Sequence, residues 1–264
     1  MKEMQRHVEV VIKALDILDS FQSQPVLTLK DIIHITKMNR SRAMRLMGTL
    51  ESRGYLLYDS ENRQFRLGPR LLILGKVFED HNMLISVSRP ILRDLVKISG
   101  EMASLYVLDG LDRVALVREK GSHEISYTVS EGQRMELYAG AAGKVLLAFA
   151  SPQIQRKVLQ KRFLKNLTPN TISDPKRLAR ELEAIRRRKY AVSEGERAPD
   201  VWSVAAPVFD HDATVCCAIG ITGPIYRIPK PMQSAYRQMV IVKAGELTRR
   251  LGGHEFQQLE EETS

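Results

Sequence analysis

The chain has 264 residues, 44% of them apolar, enough for one large domain or two ordinary ones with a real core. It has no run of about 18 apolar residues, which argues against a helical membrane span, and its opening, MKEMQRHVEV, lacks the apolar stretch of a secretory signal, so a cytoplasmic protein is expected. The net charge of +9 points to a polyanionic partner, while the adjacent Cys216 and Cys217 point to opposite faces of a strand and read as small buried residues, not a bridge.

In chain order, Val10, Val11, Ala14, Leu15, Ile17, Leu18 and Phe21 recur at helical spacing and predict a first helix over 8–21. Thr28, with Asp31 three residues on, is an N-cap signal for a short helix over 29–35. Asn39 caps a third helix over 40–53, which stops at Gly54. Residues 55–58 and 63–68 read as strands around the turn Asp59-Ser60-Glu61-Asn62. In the second strand Gln64 and Arg66 alternate with Phe65 and Leu67, giving one wet and one dry face. Pro69, suited to a first helical turn, opens a single connector helix over 69–86.

Beyond 86 the pattern mixes helices at 90–99, 142–150, 152–160, 175–188 and 234–251 with strands at 103–108, 114–119, 125–129, 203–209 and 215–222. Helices and strands do not alternate strictly, which favours α+β with an antiparallel sheet over a doubly wound fold. The tail after Gly253 is acidic and polar, and residues 254–264 are expected to be flexible.

The third helix carries the most functional information. Ala43, Leu46, Met47 and Leu50 form one face, which packs on the first two helices. The opposite side presents Arg40, Ser41, Arg42, Arg45, Gly48 and Thr49, residues able to reach base edges, with Gly48 permitting close approach. The hairpin adds Arg63 and Arg66 near its tip, where arginine contacts phosphate or the minor groove. Three helices and a basic hairpin predict a winged helix-turn-helix for double-stranded DNA over residues 1–68. A second basic stretch, 156–189, reads as a solvated helix face or as extra DNA contact, the former preferred. No histidines stand at ligand spacing, and phosphate-binding, nucleophile-elbow and dinucleotide signatures are missing, so no enzyme, metal or cofactor is expected.

Several segments together resemble the IclR family of bacterial transcription regulators. They are Ala14-Leu15-Asp16-Ile17-Leu18; the run from Asn39 to Leu50 with Gly54-Tyr55-Leu56; Phe65-Arg66-Leu67-Gly68; Ala142-Gly143-Lys144-Val145-Leu146-Leu147-Ala148; Ala205-Ala206-Pro207-Val208-Phe209-Asp210; and Ile221-Thr222-Gly223-Pro224. The resemblance implies a GAF-like effector domain over 87–253, homodimers that pair into tetramers in some members, and a small organic acid, aromatic in some members, as effector. A repressor of a catabolic or metabolic operon is the expectation, with an activator as the alternative. Carried onto this sequence, the family pocket is Ala141 and Ala142, then Ser193, Val201 and Ser203, then Gly220 and Thr222. Gly220 stands where a hydroxyl residue is common, which is expected to enlarge the pocket. Trp202 either stacks on an aromatic effector or covers the core, and Lys144 either draws a carboxylate or pairs with an acid.

Overall fold

The computed structural model describes residues 7–22, 24–123 and 130–253. The chain divides into two compact units between Asn82 and Met83. In the first unit the order is α1 (Glu9–Asp19), β1 (Leu27–Thr28), α2 (Leu29–Thr36), α3 (Arg40–Ser52), β2 (Leu56–Asp59), β3 (Gln64–Leu67) and α4 (Arg70–His81). Both predicted caps form. Thr28 and Asp31 make a reciprocal capping box, and the Asn39 carboxamide oxygen accepts from the Arg42 amide at 2.9 Å. Ile17, Phe21, Leu27, Ile32, Ala43, Met47 and Leu56 form the core that fixes the angle between these helices.

The hairpin extends to a three-stranded sheet in the order β1-β3-β2. The expected dry face holds only in part: Phe65 is half-buried and stacks 4.6 Å from the Tyr58 ring, but Leu67 is 44% exposed. Strand β1 is two residues long and opposes only Gln64 and Phe65, so it does not reach Leu67.

The predicted single helix over 69–86 is instead two helices. Asn82 is extended (φ −92°, ψ 103°) and ends α4; α5 (Met83–Ser99) then runs through Pro90, where the sequence had suggested a helix start. Asparagine bonds readily to nearby backbone and favours helix ends, which makes it a natural break.

The second unit continues with β4 (Met102–Asp109), β5 (Asp112–Glu119), β6 (Arg134–Glu136), α6 (Ala141–Phe149), α7 (Pro152–Val158), α8 (Pro175–Arg188), β7 (Ala191–Glu194), β8 (Val201–Phe209), β9 (Val215–Pro224) and α9 (Lys230–Arg250). The strands form one antiparallel sheet in the order β6-β5-β4-β9-β8-β7. Helices α6 and α8 bury their apolar residues on one face, α5 and α9 on the other. The expected strand at 125–129 and the tail at 254–264 lie outside the described residues. Among the described residues no helix is long and apolar enough to cross a membrane.

Candidate functional site

Burial divides α3 as its sequence pattern requires. Ala43 and Met47 are buried and Leu46 and Leu50 pack beside them, while Arg40, Ser41, Arg45, Gly48 and Thr49 are exposed. Ser41, Arg42, Arg45 and Thr49 line one open groove together with Val10 of α1. Arg42 is half-buried because its guanidinium bonds the Glu9 carboxylate at 2.9 Å, which holds it against α1. A side chain at Gly48 would meet nothing within 4 Å, so the glycine leaves that part of the helix surface low and open. At the hairpin tip Arg63 takes the left-handed conformation (φ 53°) beside an Asx turn in which Asp59 accepts from the Glu61 and Asn62 amides. Arg66 lies 3.9 Å from Asp59 and is mostly exposed. A helix with this exposed face fits a DNA major groove about 12 Å wide, and the hairpin cations suit phosphate.

The second unit holds a cavity of about 40 Å³ between the sheet and the start of α6. Strand register explains its floor. Ser193, Ser203 and Thr222 stand directly opposite one another across β7, β8 and β9, making a row of hydroxyls. The next row on the same face, Ala191, Ala205, Gly220 and Ser104, is composed of small residues, so the helix above does not fill the space. The roof is Ala141 and Ala142, in the first turn of α6, where backbone N–H groups lack intrahelical partners. The Gly140 amide donates to Glu196 Oε2 at 3.1 Å, and the Ala141 amide approaches Ser203 Oγ at 3.5 Å. Arg113 and Arg197 complete the wall with Tyr106, Met135 and Val201.

Lys144 is 1% exposed and turns away from this cavity to an ion pair with Glu196; its Nζ also donates to the Val192 carbonyl at 2.8 Å. Glu196 therefore ties the loop between β7 and β8 to the beginning of α6. The Cys217 thiol, wholly buried on the far face, is pushed up in pKa by desolvation.

The family model described as "Bacterial transcriptional regulator IclR C-terminal" matches residues 77–249, and that described as "IclR helix-turn-helix domain" matches residues 10–60. The chain belongs to the IclR family. Among its relatives, the HTH-type transcriptional regulator BhcR of Paracoccus denitrificans is 34% identical over 91% of this chain and 86% of that protein. The transcriptional repressor IclR of Escherichia coli is 28% identical over 93% and 91%. A solved IclR transcriptional regulator from Silicibacter sp. TM1040 superposes with a TM-score of 0.83 at 28% identity, covering 93% of this chain and 97% of that one. An IclR homologue from Microbacterium hydrocarbonoxydans, solved with 4-hydroxybenzoate, shares the fold at 22% identity and a TM-score of 0.76, covering 91% and 99%. IclR proteins are transcription regulators with a DNA-binding helix-turn-helix, not enzymes, and this chain is one of them.

Against that family frame, the effector residues expected from the sequence fall into two groups. Ala141, Ala142, Ser193, Val201, Ser203, Gly220 and Thr222 lie around the one cavity. Trp202 does not. It is fully buried on the opposite face of β8, among α9 and the other strands, so it covers the core and has no access to a cavity ligand. Gly220 also acts differently from the expectation of a simple enlargement: a Cβ there would come 2.2 Å from the Val204 carbonyl oxygen, so the glycine is required by the close approach of β8. The sequence reading missed Arg113 and Arg197. Arg113 is on a strand whose neighbours alternate apolar inward, where a lone arginine reads as surface; only the path of β5 beneath α6 brings it inside.

Proposed function

We propose that the protein is a cytoplasmic homodimeric repressor of a metabolic operon, in which α3 and the hairpin read a roughly palindromic operator and a small organic acid in the second-unit cavity changes operator affinity. The grouping of Ser41, Arg42, Arg45 and Thr49 around one exposed groove of α3 carries the DNA half of this reading. The hydroxyl row beneath the first turn of α6 supports the acid half, because orphan helix N–H groups and hydroxyls suit a carboxylate. The 4-hydroxybenzoate in the Microbacterium homologue and the repressor relative in Escherichia coli agree in kind. A dimer is supported by apolar surface that the isolated chain leaves uncovered: Leu72 is 73% exposed, with Ile73, Val77 and Phe78 of α4 and Val11 and Leu15 of α1 also exposed.

The test is a mobility-shift titration on the gene's own upstream intergenic DNA at fixed salt, with and without short-chain and aromatic acids. A specific shift that one acid changes is the expected result. Arg45→Ala should weaken operator binding by about 1–3 kcal/mol and relax sequence preference. A shift abolished equally by competitor DNA and indifferent to every acid would refute the reading.

A further inference from the structure

The outer side of α8 is almost wholly basic. Leu178, Leu182 and Ile185 are its buried residues. Lys176, Arg180 and Arg187 recur on the opposite side of the helix, with Arg177 beside them, and all four are exposed. A second group precedes them: Arg156 and Lys157 in the last turn of α7, then Lys161, Arg162 and Lys165 in the turn that follows, again all exposed. Lys161 Nζ donates to the Ser173 carbonyl at 2.8 Å, which fastens that turn to the residue before the α8 cap. Val158, Leu164, Leu178 and Leu182 enter one core, so both groups of cations point outward from the same layer.

This surface is set apart by its lack of carboxylates. Across residues 156–189, nine exposed cations meet two exposed acids. One of these, Asp174, is engaged as the α8 cap, where it accepts from the Arg177 amide at 2.7 Å. The other, Glu183, lies on the basic stripe itself. None of the nine cations makes an ion pair among the described residues. Other exposed cations of the second unit do: Arg93 lies 3.4 Å from Glu119, and Arg250 lies 2.7 Å from Glu246. A face that meets only solvent mixes both signs, whereas a one-sign face attracts a polyanion.

The same surface also selects among polyanions. Among the described residues, no exposed large apolar or aromatic side chain lies on α7, on α8 or between them. A protein partner would lack the apolar anchor that carries most interface energy. A single strand would lack the aromatic platform on which its bases stack. Duplex phosphate needs neither. From Lys176 to Arg187 the stripe runs about 16 Å at the helical rise, a length over which one DNA strand carries about five phosphates.

We propose that the outer face of α7 and α8 is a second, sequence-independent duplex-binding surface, which takes the phosphate backbone of DNA flanking the operator. The inference rests on the reading of α3 as the operator-binding helix. The first unit selects the sequence, and this face adds affinity that depends on duplex length and salt.

The test is a titration of the full chain, over a range of salt, against an operator trimmed to its protected core and against the same operator extended on both sides by arbitrary duplex. The extended duplex should bind more tightly, whatever the sequence of the extensions, and its affinity should fall more steeply with salt. The triple substitution Lys176→Gln, Arg180→Gln and Arg187→Gln should bind the trimmed operator like the parent and lose most of the gain from the extensions. On the extended duplex its slope of log affinity against log salt should be shallower by about 0.9 for each phosphate contact removed. Glu183→Lys should enlarge the gain. Equal affinity and slope on the two duplexes, a triple variant that keeps the parent's gain, or a loss as large on the trimmed operator as on the extended one would each overturn the proposal while leaving operator reading by α3 in place. If no sequence is bound in preference to another, the operator reading fails instead. Parent and triple variant are then compared on arbitrary duplex, where a shallower slope in the variant supports the proposal and equal slopes overturn it.

Discussion

At the scale of single residues, Lys144 shows how a charge is kept inside this fold. Its Nζ is met by Glu196 and by the Val192 carbonyl, with Glu181 3.6 Å away. Removing one partner of such a pair strands the other in an apolar setting, at a cost of about 3–5 kcal/mol. Lys144→Ala and Glu196→Ala should each destabilise the protein by that order in urea unfolding, and the double substitution should cost less than the sum of the two. Additive losses would show that the pair is not coupled. Pairing with an acid was one of two roles the sequence left open for Lys144, and contact distance decides between them. For Trp202 the answer was already available in the sequence: once Ser203 and Val201 are placed toward a pocket, strand alternation sends Trp202 to the other face. Arg113 was not legible in this way, because its burial depends on a helix that follows it by many residues and on two glycines that make room.

At the scale of elements, the local signals in the first unit were strong because each rests on neighbouring residues. The N-caps at Thr28 and Asn39 are read within four residues and form as expected. Asn39→Ala removes the bond to the Arg42 amide and should cost about 1 kcal/mol in thermal or chemical unfolding, with the helix start that carries Arg40 and Ser41 loosened. An unchanged stability would show that solvent caps α3 equally well. Strands β1, β6 and β7 escaped the sequence reading: β1 and β6 are two and three residues long, too short for a period of two to register, and β7, though as long as β2 and β3, reads Ala-Val-Ser-Glu, which gives neither face a run of apolar residues. They exist through pairing with β3, β5 and β8, which is long-range information. The break at Asn82 was missed for the opposite reason: apolar periodicity continues on both sides of it and hides one residue with extended backbone.

At the scale of the molecule, helix α4 has no buried residue yet displays Leu72, Ile73, Leu74, Val77 and Phe78. A helix so apolar and so bare suits the contact of the proposed dimer, since short helices are marginal alone. The double substitution Leu72→Glu with Phe78→Glu should leave each unit folded, yield a monomer in sedimentation, and reduce operator affinity by removing the second recognition helix. A dimer of unchanged stability would place the contact elsewhere.

The position of Trp202 also determines what light can report about this protein. It is the only tryptophan, it is shut away from water, and it lies across the sheet from the cavity. Its emission is therefore that of an indole in an apolar medium, changing when the second core comes apart and remaining nearly blind to a ligand entering on the other side of β8. Intrinsic fluorescence serves this regulator as a gauge of unfolding, and a titration that follows its effector needs a dye or a calorimeter.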